Sequence, residues 1–558
     1  MLRKLLIAGV VAGALAAPAQ AQFNRVLLMP GVTYERQVQF TSHGPVAVHV
    51  MFAPKPGGLW QLRPVLSNGA IVGRERVTAM QRTVAPAATV AGVNGDLFTW
   101  TDGRPSGVLI QGGQLVHPPL PERSSLGIGA DGTLRVDRVR MFGTWRGTGQ
   151  RRPMDLNQAP TPNGVSLFTS AWGPTTPPNP GAVEATIFPF PGAALNADVT
   201  GPVMQVTQNG GTGIPPGGAV LVAKGTAAQR LLEEAPVGTN VTLRLLLSPD
   251  WAGVADAIGG GPVLVRGGKP VFRHFEAFTT VQVARNPRTG IGQLSDGRIV
   301  LVVVDGRQPG YSTGMTNFEL AQTLVRLGAV TAMGLDAGGS STMAFEGTLL
   351  NKPSDPGGER AVSEGLFVLY GGVFAAAAAE LVHSPNGDGV SDLQRLAVKL
   401  VRPSRATISL IGPDKVARTL DEGDKVAGTY RYDWTGEGEP EGQWRLSVSA
   451  VDDQGQSSSA DRFFVLNRTL ADLDVADPSA QFTLTRPARV TVTVRRRTGA
   501  IVATVALRRS LGAGRQTLTW NGRSGRRKAS TGRYQFRVTA LNEIGRTELV
   551  GEFAHRRR

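Results

Sequence analysis

The chain has 558 residues, no cysteine, 71 glycines, 37 prolines and a formal net charge of +16. That length predicts about three or four domains, and 41% apolar with 18% charged residues excludes wholesale disorder. Lack of cysteine excludes a disulfide framework, a zinc–thiolate site and a cysteine nucleophile, and glycine and proline without a three-residue period exclude a collagen-like chain. The charge is uneven. Residues 467–558 hold 19 Lys/Arg against 6 Asp/Glu, whereas residues 22–466 are nearly neutral. The basic tail is therefore separable from the chemistry of the body.

Residues 1–21 read as a secretory signal. Arg3 and Lys4 form the basic region, Leu5 to Ala17 the apolar stretch, and Ala19-Gln20-Ala21 the cleavage site. The apolar run is shorter than a membrane span, and no later run is long enough to be one. The expectation is an exported protein, periplasmic or extracellular, whose mature chain starts near Gln22 and has no transmembrane segment.

From residue 22 to 375 short β-type runs alternate with glycine-rich turns and one clear helix. Runs at 46–52, 299–304 and 366–370 read as strands. The segment TNFELAQTLVRL (316–327) places Phe318, Leu320, Ala321, Leu324, Val325 and Leu327 at helical spacing. Thr316 is its expected N-cap, and Gly328 stands just past its end. Four segments in this body concentrate Asp, Asn, Arg and Gly: 92–116, 258–271, 285–321 and 333–360. A glycine-rich turn leaving a strand exposes backbone N–H groups and admits a ligand closely. Each segment alone is also a routine turn.

Ala375–Ala379 marks a composition break. Beyond it SPNGDGVSD (384–392) places Asn386, Asp388 and Asp392 at spacings compatible with Ca²⁺, a polar linker turn being the other reading. The rest is duplicated. LAVKLVRPSRATISLIG (396–412) is echoed by QFTLTRPARVTVTVRRR (481–497), Trp434-Thr435-Gly436 by Trp520-Asn521-Gly522, and QWRLSVSAVDDQG (443–455) by RYQFRVTALNEIG (533–545). Period-two alternation, Gly/Pro turns and the repeat length predict two Ig-like β-sandwiches. The repeat resembles the Ig-like domain of flagellar hook-capping proteins.

Within the body, N-G-D-L-F, G-G-G-P, R-N-P-R-T-G-I-G, the D-G-R strand pair, the E-L-A helix, L-D-A-G-G-S-S-T and N-K-P-S-D…E-R occur in order. With LNQAPTPNGVSLFTSAWGPTT (156–176), this set resembles the phosphodiester glycosidase family over about residues 25–372. The resemblance implies an α+β catalytic domain at 22–375, followed by all-β Ig-like sandwich domains at 376–466 and 467–558. It implies a glycoside hydrolase that cleaves a sugar-1-phosphodiester to sugar and phosphomonoester, with no cofactor required.

Breaking that bond develops oxocarbenium character on the sugar and expels a stable anion. Carboxylates must stabilise the sugar cation and activate water or attack carbon, while cations and N–H donors receive the phosphate. The resemblance makes Asp96 and Asp336 the first candidates, with Glu319 and Asp305 behind them. Glu319 also lies early on a helix, where a carboxylate is favourable without any function. Arg285, Arg288 and the turn Gly338, Gly339, Ser340, Ser341 suit the phosphate. Asn94, Thr342, Asn351 and Arg360 complete the expected substrate-binding set. Two departures from the family pattern stand out: Ala337 replaces a usual glycine, which would strain the backbone if φ there were positive, and Asn286 and Gly290 stand where His and Ala are common.

A non-catalytic binding or surface-attachment protein of the cell envelope is the alternative function. The basic domain carries no nucleic-acid motif, so envelope polyanions, not nucleic acid, are its expected partners.

Overall fold

A computed structural model describes residues 25–271, 276–279 and 284–556; the expected signal segment lies outside them. The described chain is mostly β, with three short α-helices at Val77–Val84, Thr226–Glu234 and Asn317–Arg326. None of its helices is long and apolar enough to cross a membrane.

An eight-stranded antiparallel sheet forms one wall of the body. Its order is Val26–Met29, Val32–Thr41, Gly44–Ala53, Ile299–Val304, Arg288–Leu294, Ala329–Gly334, Val263–Arg266 and Lys269–Pro270. The central strands Arg288–Leu294 and Ile299–Val304 are buried along their whole length. A strand covered on both faces needs a continuous apolar run, and IVLVVV supplies one. The helix Asn317–Arg326 covers one face, setting Leu320 and Leu324 against Val300 and Val302. It begins where Thr316 predicts: Thr316 accepts from the Glu319 N–H, and the Glu319 carboxylate accepts from the Thr316 N–H at 2.8 Å. This reciprocal pair is a capping box. The other face meets two five-stranded sheets, which contain Thr89–Asn94 with Glu364–Tyr370 and Ser124–Gly129 with Val254–Gly259.

Between Leu134–Arg138 and Val254–Gly259 the chain leaves this body to build a closed seven-stranded barrel, from Arg140–Arg146 through Asn240–Ser248. The barrel core, around Trp145, Leu167, Leu221 and Leu243, is covered by the helix Thr226–Glu234 and continues into Ile110, Leu115 and Ala257 of the body. Nothing in the residue pattern separated this insertion from its surroundings, because barrel strands and sheet strands share one alternation.

Beyond residue 375 lie two all-β units. In the first, three- and five-stranded sheets enclose Trp444, Ile408 and Phe464. In the second, three- and four-stranded sheets enclose Trp520, Tyr534 and Phe536. The sequence echo is structural: Trp444 and its counterpart Tyr534 are both buried. Arg462 ties the first unit to the body, donating to the carbonyls of Leu27, Leu28 and Ala375 at 2.7–3.0 Å.

Candidate active site

Strand ends from the eight-stranded sheet and one five-stranded sheet meet at one place. Asp96 lies two residues past Thr89–Asn94, Asp336 two residues past Ala329–Gly334, Glu364 opens Glu364–Tyr370 and Arg288 opens Arg288–Leu294. The backbone laces them together: Gly95 N–H donates to Glu364 O at 2.8 Å and Asp336 N–H to Gly95 O at 3.0 Å. Asn94, fully buried, is the strap. Its Nδ2 donates to Asp336 O at 2.9 Å, and its Oδ1 accepts from Thr289 Oγ1 at 2.8 Å and Thr342 N–H at 3.1 Å. It thus positions the Asp336 loop and has no free group for substrate.

Asp96 is 1% exposed. Its oxygens accept from the N–H groups of Leu97 and Gly107, both at 2.7 Å, and its own N–H donates to Glu364 Oε1 at 3.0 Å. Room for this carboxylate is made by glycine: a Cβ on Gly259 would stand 2.2 Å from Asp96 Oδ2, and one on Gly107 2.8 Å. Burial raises the pKa of both Asp96 and Glu364, and their mutual repulsion adds to the rise at Glu364. Two buried carboxylates that repel each other favour keeping at least one of the pair protonated. Asp336 borders the cleft itself. Burial pushes its pKa up to about 6, against the Ser340 hydroxyl, the Ala337 N–H and the Arg360 and Arg123 cations, which act the other way. The cleft leaves Asp336 partly open to solvent, which also favours the charged form.

Cations ring the same cleft, whose lining includes Leu97, Pro262, Phe278, Arg288, Arg307 and Gly338. Arg288 donates to Met315 O at 3.0 Å and to Ala284 O. Its pKa falls to about 10 because burial and the neighbouring Arg307 both disfavour its charge. Two like charges held together beside a cleft are relieved by an anion. Arg307, itself at positive φ, donates to Asn286 Oδ1 at 3.0 Å and lies where a Cβ on Gly338 would reach it at 2.9 Å. Gly338 takes φ +70°, whereas Ala337 is extended at φ −122°. The alanine in place of the usual glycine therefore carries no strain.

The remaining expected residues divide. Arg360 pairs with Asp355 through two hydrogen bonds and reaches Ser340 Oγ at 3.3 Å, bracing the turn. Gly339 leaves room for that pair: its Cβ would fall 2.0 Å from Asp355 Oδ1. Ser341 and Thr342 are buried beneath the turn, their hydroxyls without hydrogen-bond partners among the described residues. Asp305 is not with the carboxylate group. It is 1% exposed and accepts from Tyr311 OH and Asn351 Nδ2, both at 2.9 Å, with His49 Nε2 at the same distance. Asn351 also donates to Ser341 O at 3.0 Å, so this knot holds the turn from behind. Glu319 is engaged in its helix cap and in an ion pair with Arg285 at 2.5 Å. Asp305 is thus held within a buried hydrogen-bonded knot, and Glu319 is half-buried in its helix cap and ion pair.

Three participants escaped the sequence reading. Glu364 had a signal, an acid opening an otherwise apolar strand, EGLFVLY. Arg307 stands in the D-G-R turn. Arg123 carries no local mark, yet its charge acts on both Asp96 and Asp336, and its Nε and Nη1 are buried without hydrogen-bond partners among the described residues.

At the domain junction, Asp392 accepts from the N–H groups of Asn386, Gly387 and Gly389 at 2.7–2.9 Å. Asn386 Oδ1 accepts from Asp388 N–H, and Asp388 Oδ1 from Val390 N–H. The loop is closed by its own side chains. No group of three or more His, Asp or Glu among the described residues is placed to hold a metal.

Comparison with known proteins bears on this arrangement. Residues 193–369 match the phosphodiester glycosidase family. That match contains Arg288, Arg307, Asp336 and Glu364 but begins after Asp96. Residues 469–543 match the FlgD Ig-like domain. N-acetylglucosamine-1-phosphodiester alpha-N-acetylglucosaminidase of Bos taurus is 38% identical over 81 residues, 14% of this chain and 14% of that protein. The SPbeta prophage-derived protein YomE of Bacillus subtilis is 37% identical over 118 residues, 21% of this chain and 18% of the relative. The chain thus spans less than a fifth of the length of these curated relatives. A hypothetical protein from Synechocystis has a similar fold, with TM-score 0.52 and 24% identity over 62% of this chain and 64% of that one.

Proposed function

We propose that the body of this chain is a phosphodiester glycosidase that hydrolyses a sugar-1-phosphodiester to free sugar and a phosphomonoester. The observation that carries this reading is Asp336. It is a carboxylate of raised pKa opening on a cleft that also holds Arg288 and Arg307. Water adds to the anomeric carbon as the bond from that carbon to the phosphate oxygen breaks. The electron pair leaves on the phosphate, where the paired cations receive it. Asp336, ionised above about pH 6, faces the developing sugar cation and is the base for the water proton. The protonated Asp96–Glu364 pair behind it limits the negative charge in the pocket, so that Asp336 ionises at neutral pH. Such a leaving group is stable as an anion and needs little acid assistance.

Export by the 1–21 segment, the α+β class of the body, and the Ig-like nature of the 376–466 unit belong to the same proposal. So does attachment of the basic 467–558 unit to envelope polyanions. That attachment predicts binding of the full chain to lipopolysaccharide or anionic vesicles that weakens steeply with salt.

The activity is tested by incubating the full chain with N-acetylhexosamine, hexose and nucleotide-sugar phosphodiesters and assaying reducing sugar. Release from at least one diester, abolished in Asp336→Asn, is expected. Tight binding with no release from any would replace hydrolysis by a carbohydrate-binding role.

A further inference from the structure

The duplicated extension carries an internal comparison. In each β unit a Trp-x-Gly turn faces the last residue of the unit's final strand. In the first unit that residue is Leu466, fully buried, and a Cβ on Gly436 would meet its methyl groups at 3.1 and 3.2 Å. The nearby His383 engages both ring nitrogens with the carbonyls of Ser391 and Thr435, at 2.9 and 2.8 Å. That corner is closed. In the second unit the residue is His555, 8% exposed, and a Cβ on Gly522 would still lie 3.5 Å from its ring. A cavity of about 340 Å³ opens there, its lining including Asp477, Trp520, Arg523, Lys528, His555 and Arg556.

The walls of this cavity are held in place. His555 Nδ1 donates to Asp477 Oδ1 and Oδ2 at 2.9 and 3.1 Å, which leaves Nε2 for a ligand. Trp520 packs on the imidazole at 4.8 Å between centroids, and its Nε1 donates to Arg523 O at 2.9 Å. Arg523 N–H donates to Asn521 Oδ1 at 3.0 Å and Ala529 N–H to Gly522 O at 2.9 Å, fixing the hairpin that carries Arg523 and Lys528. The Arg523 guanidinium donates to Arg526 O at 3.2 Å and has no acidic partner among the described residues. Three cationic side chains thus line the cavity against one acid. Its volume admits a single sugar ring, for which Trp520 and Pro478 supply an apolar wall. Convergent guanidinium, ammonium and imidazole groups suit a phosphate, which offers more charge and more acceptors than a carboxylate.

We propose that this corner of the second unit binds a phosphorylated sugar residue, with the phosphate against Arg523, Lys528 and His555 Nε2. The inference deepens the reading of the basic unit as an attachment domain for envelope polyanions, which by itself needs only diffuse charge. The two fail separately: without the site, salt-sensitive binding of the full chain to lipopolysaccharide or anionic vesicles remains.

The test titrates the full chain, its six histidines ¹³C-labelled, with glucose 6-phosphate, and the magnetic-resonance signal missing from His555→Leu identifies His555. A saturable shift of that signal is expected. Arg523→Gln/Lys528→Gln should weaken the affinity about ten-fold. Arg508→Gln/Arg509→Gln removes the same charge from exposed positions outside the cavity and should leave it within about two-fold. Both double variants change exposed side chains only, so folding is retained, which an unchanged Tm verifies. Glucose, glucuronate and inorganic phosphate should each bind about ten-fold more weakly or worse. No shift of the His555 signal, or equal weakening by the two double variants, overturns the site. Glucuronate or inorganic phosphate binding as tightly as glucose 6-phosphate overturns a phosphorylated sugar as its ligand.

Discussion

Asp336 borders the cleft while Asp96 and Glu364 lie buried, and the proposed roles follow this difference in access. With its pKa raised to about 6, Asp336 should govern the acid side of the rate profile: kcat/KM should climb as pH passes through about 6 and then level. Asp336→Asn should lower kcat by about a thousand-fold, the range of a lost general base. Asp96 and Glu364 act on stability with the opposite sign to a salt-bridged acid. Their folded pKa values lie above the unfolded ones, so their contribution is full below about pH 4 and is lost as pH rises through the folded values. Glu364→Gln should therefore flatten the fall of Tm between pH 5 and pH 8 and leave the variant more stable than wild type at the upper end. A steeper fall in the variant would contradict a raised pKa at Glu364. Part of this was legible in the residues: N-G-D and L-D-A-G-G-S-S-T drew attention to Asp96 and Asp336. Glu364 and Arg123 were not, because their importance comes from a partner 268 residues away in the first case and from the charge that acts on Asp96 and Asp336 in the second.

At the scale of elements, the site is an intersection of strand ends from separate sheets, and local pattern predicts the strands better than their meeting. The helix Asn317–Arg326 was legible to within a residue because its cap, apolar spacing and terminal Gly328 agree. Removing its cap with Thr316→Ala should cost about 1 kcal/mol in denaturant unfolding and loosen the Glu319–Arg285 pair. The inserted barrel was not legible, since its strands alternate as the sheet strands do and only pairing distinguishes them. Asp305 is the clearest lesson. A conspicuous acid at the end of a central strand proves to be the hub of a buried knot of His49, Tyr311 and Asn351. Asn351→Ala should lower both stability and turnover, because it removes a donor from the Ser341 carbonyl and from Asp305 together.

At the scale of the whole molecule, a nearly neutral body is joined to a duplicated β extension whose second copy holds most of the net charge. The buried guanidinium of Arg462 spans the first joint. Arg462→Ala should uncouple the extension, splitting thermal unfolding into separate transitions while hydrolysis persists. The central claim is that the body breaks a bond from an anomeric carbon to a phosphate oxygen, and the position of oxygen incorporation tests it most directly. Hydrolysis of a sugar-1-phosphodiester in ¹⁸O-enriched water, read by mass spectrometry immediately after turnover, should place the label on the sugar and leave the phosphomonoester unlabelled. Label in the phosphate would mean that phosphorus, not carbon, is attacked, and would contradict the glycosidase reading.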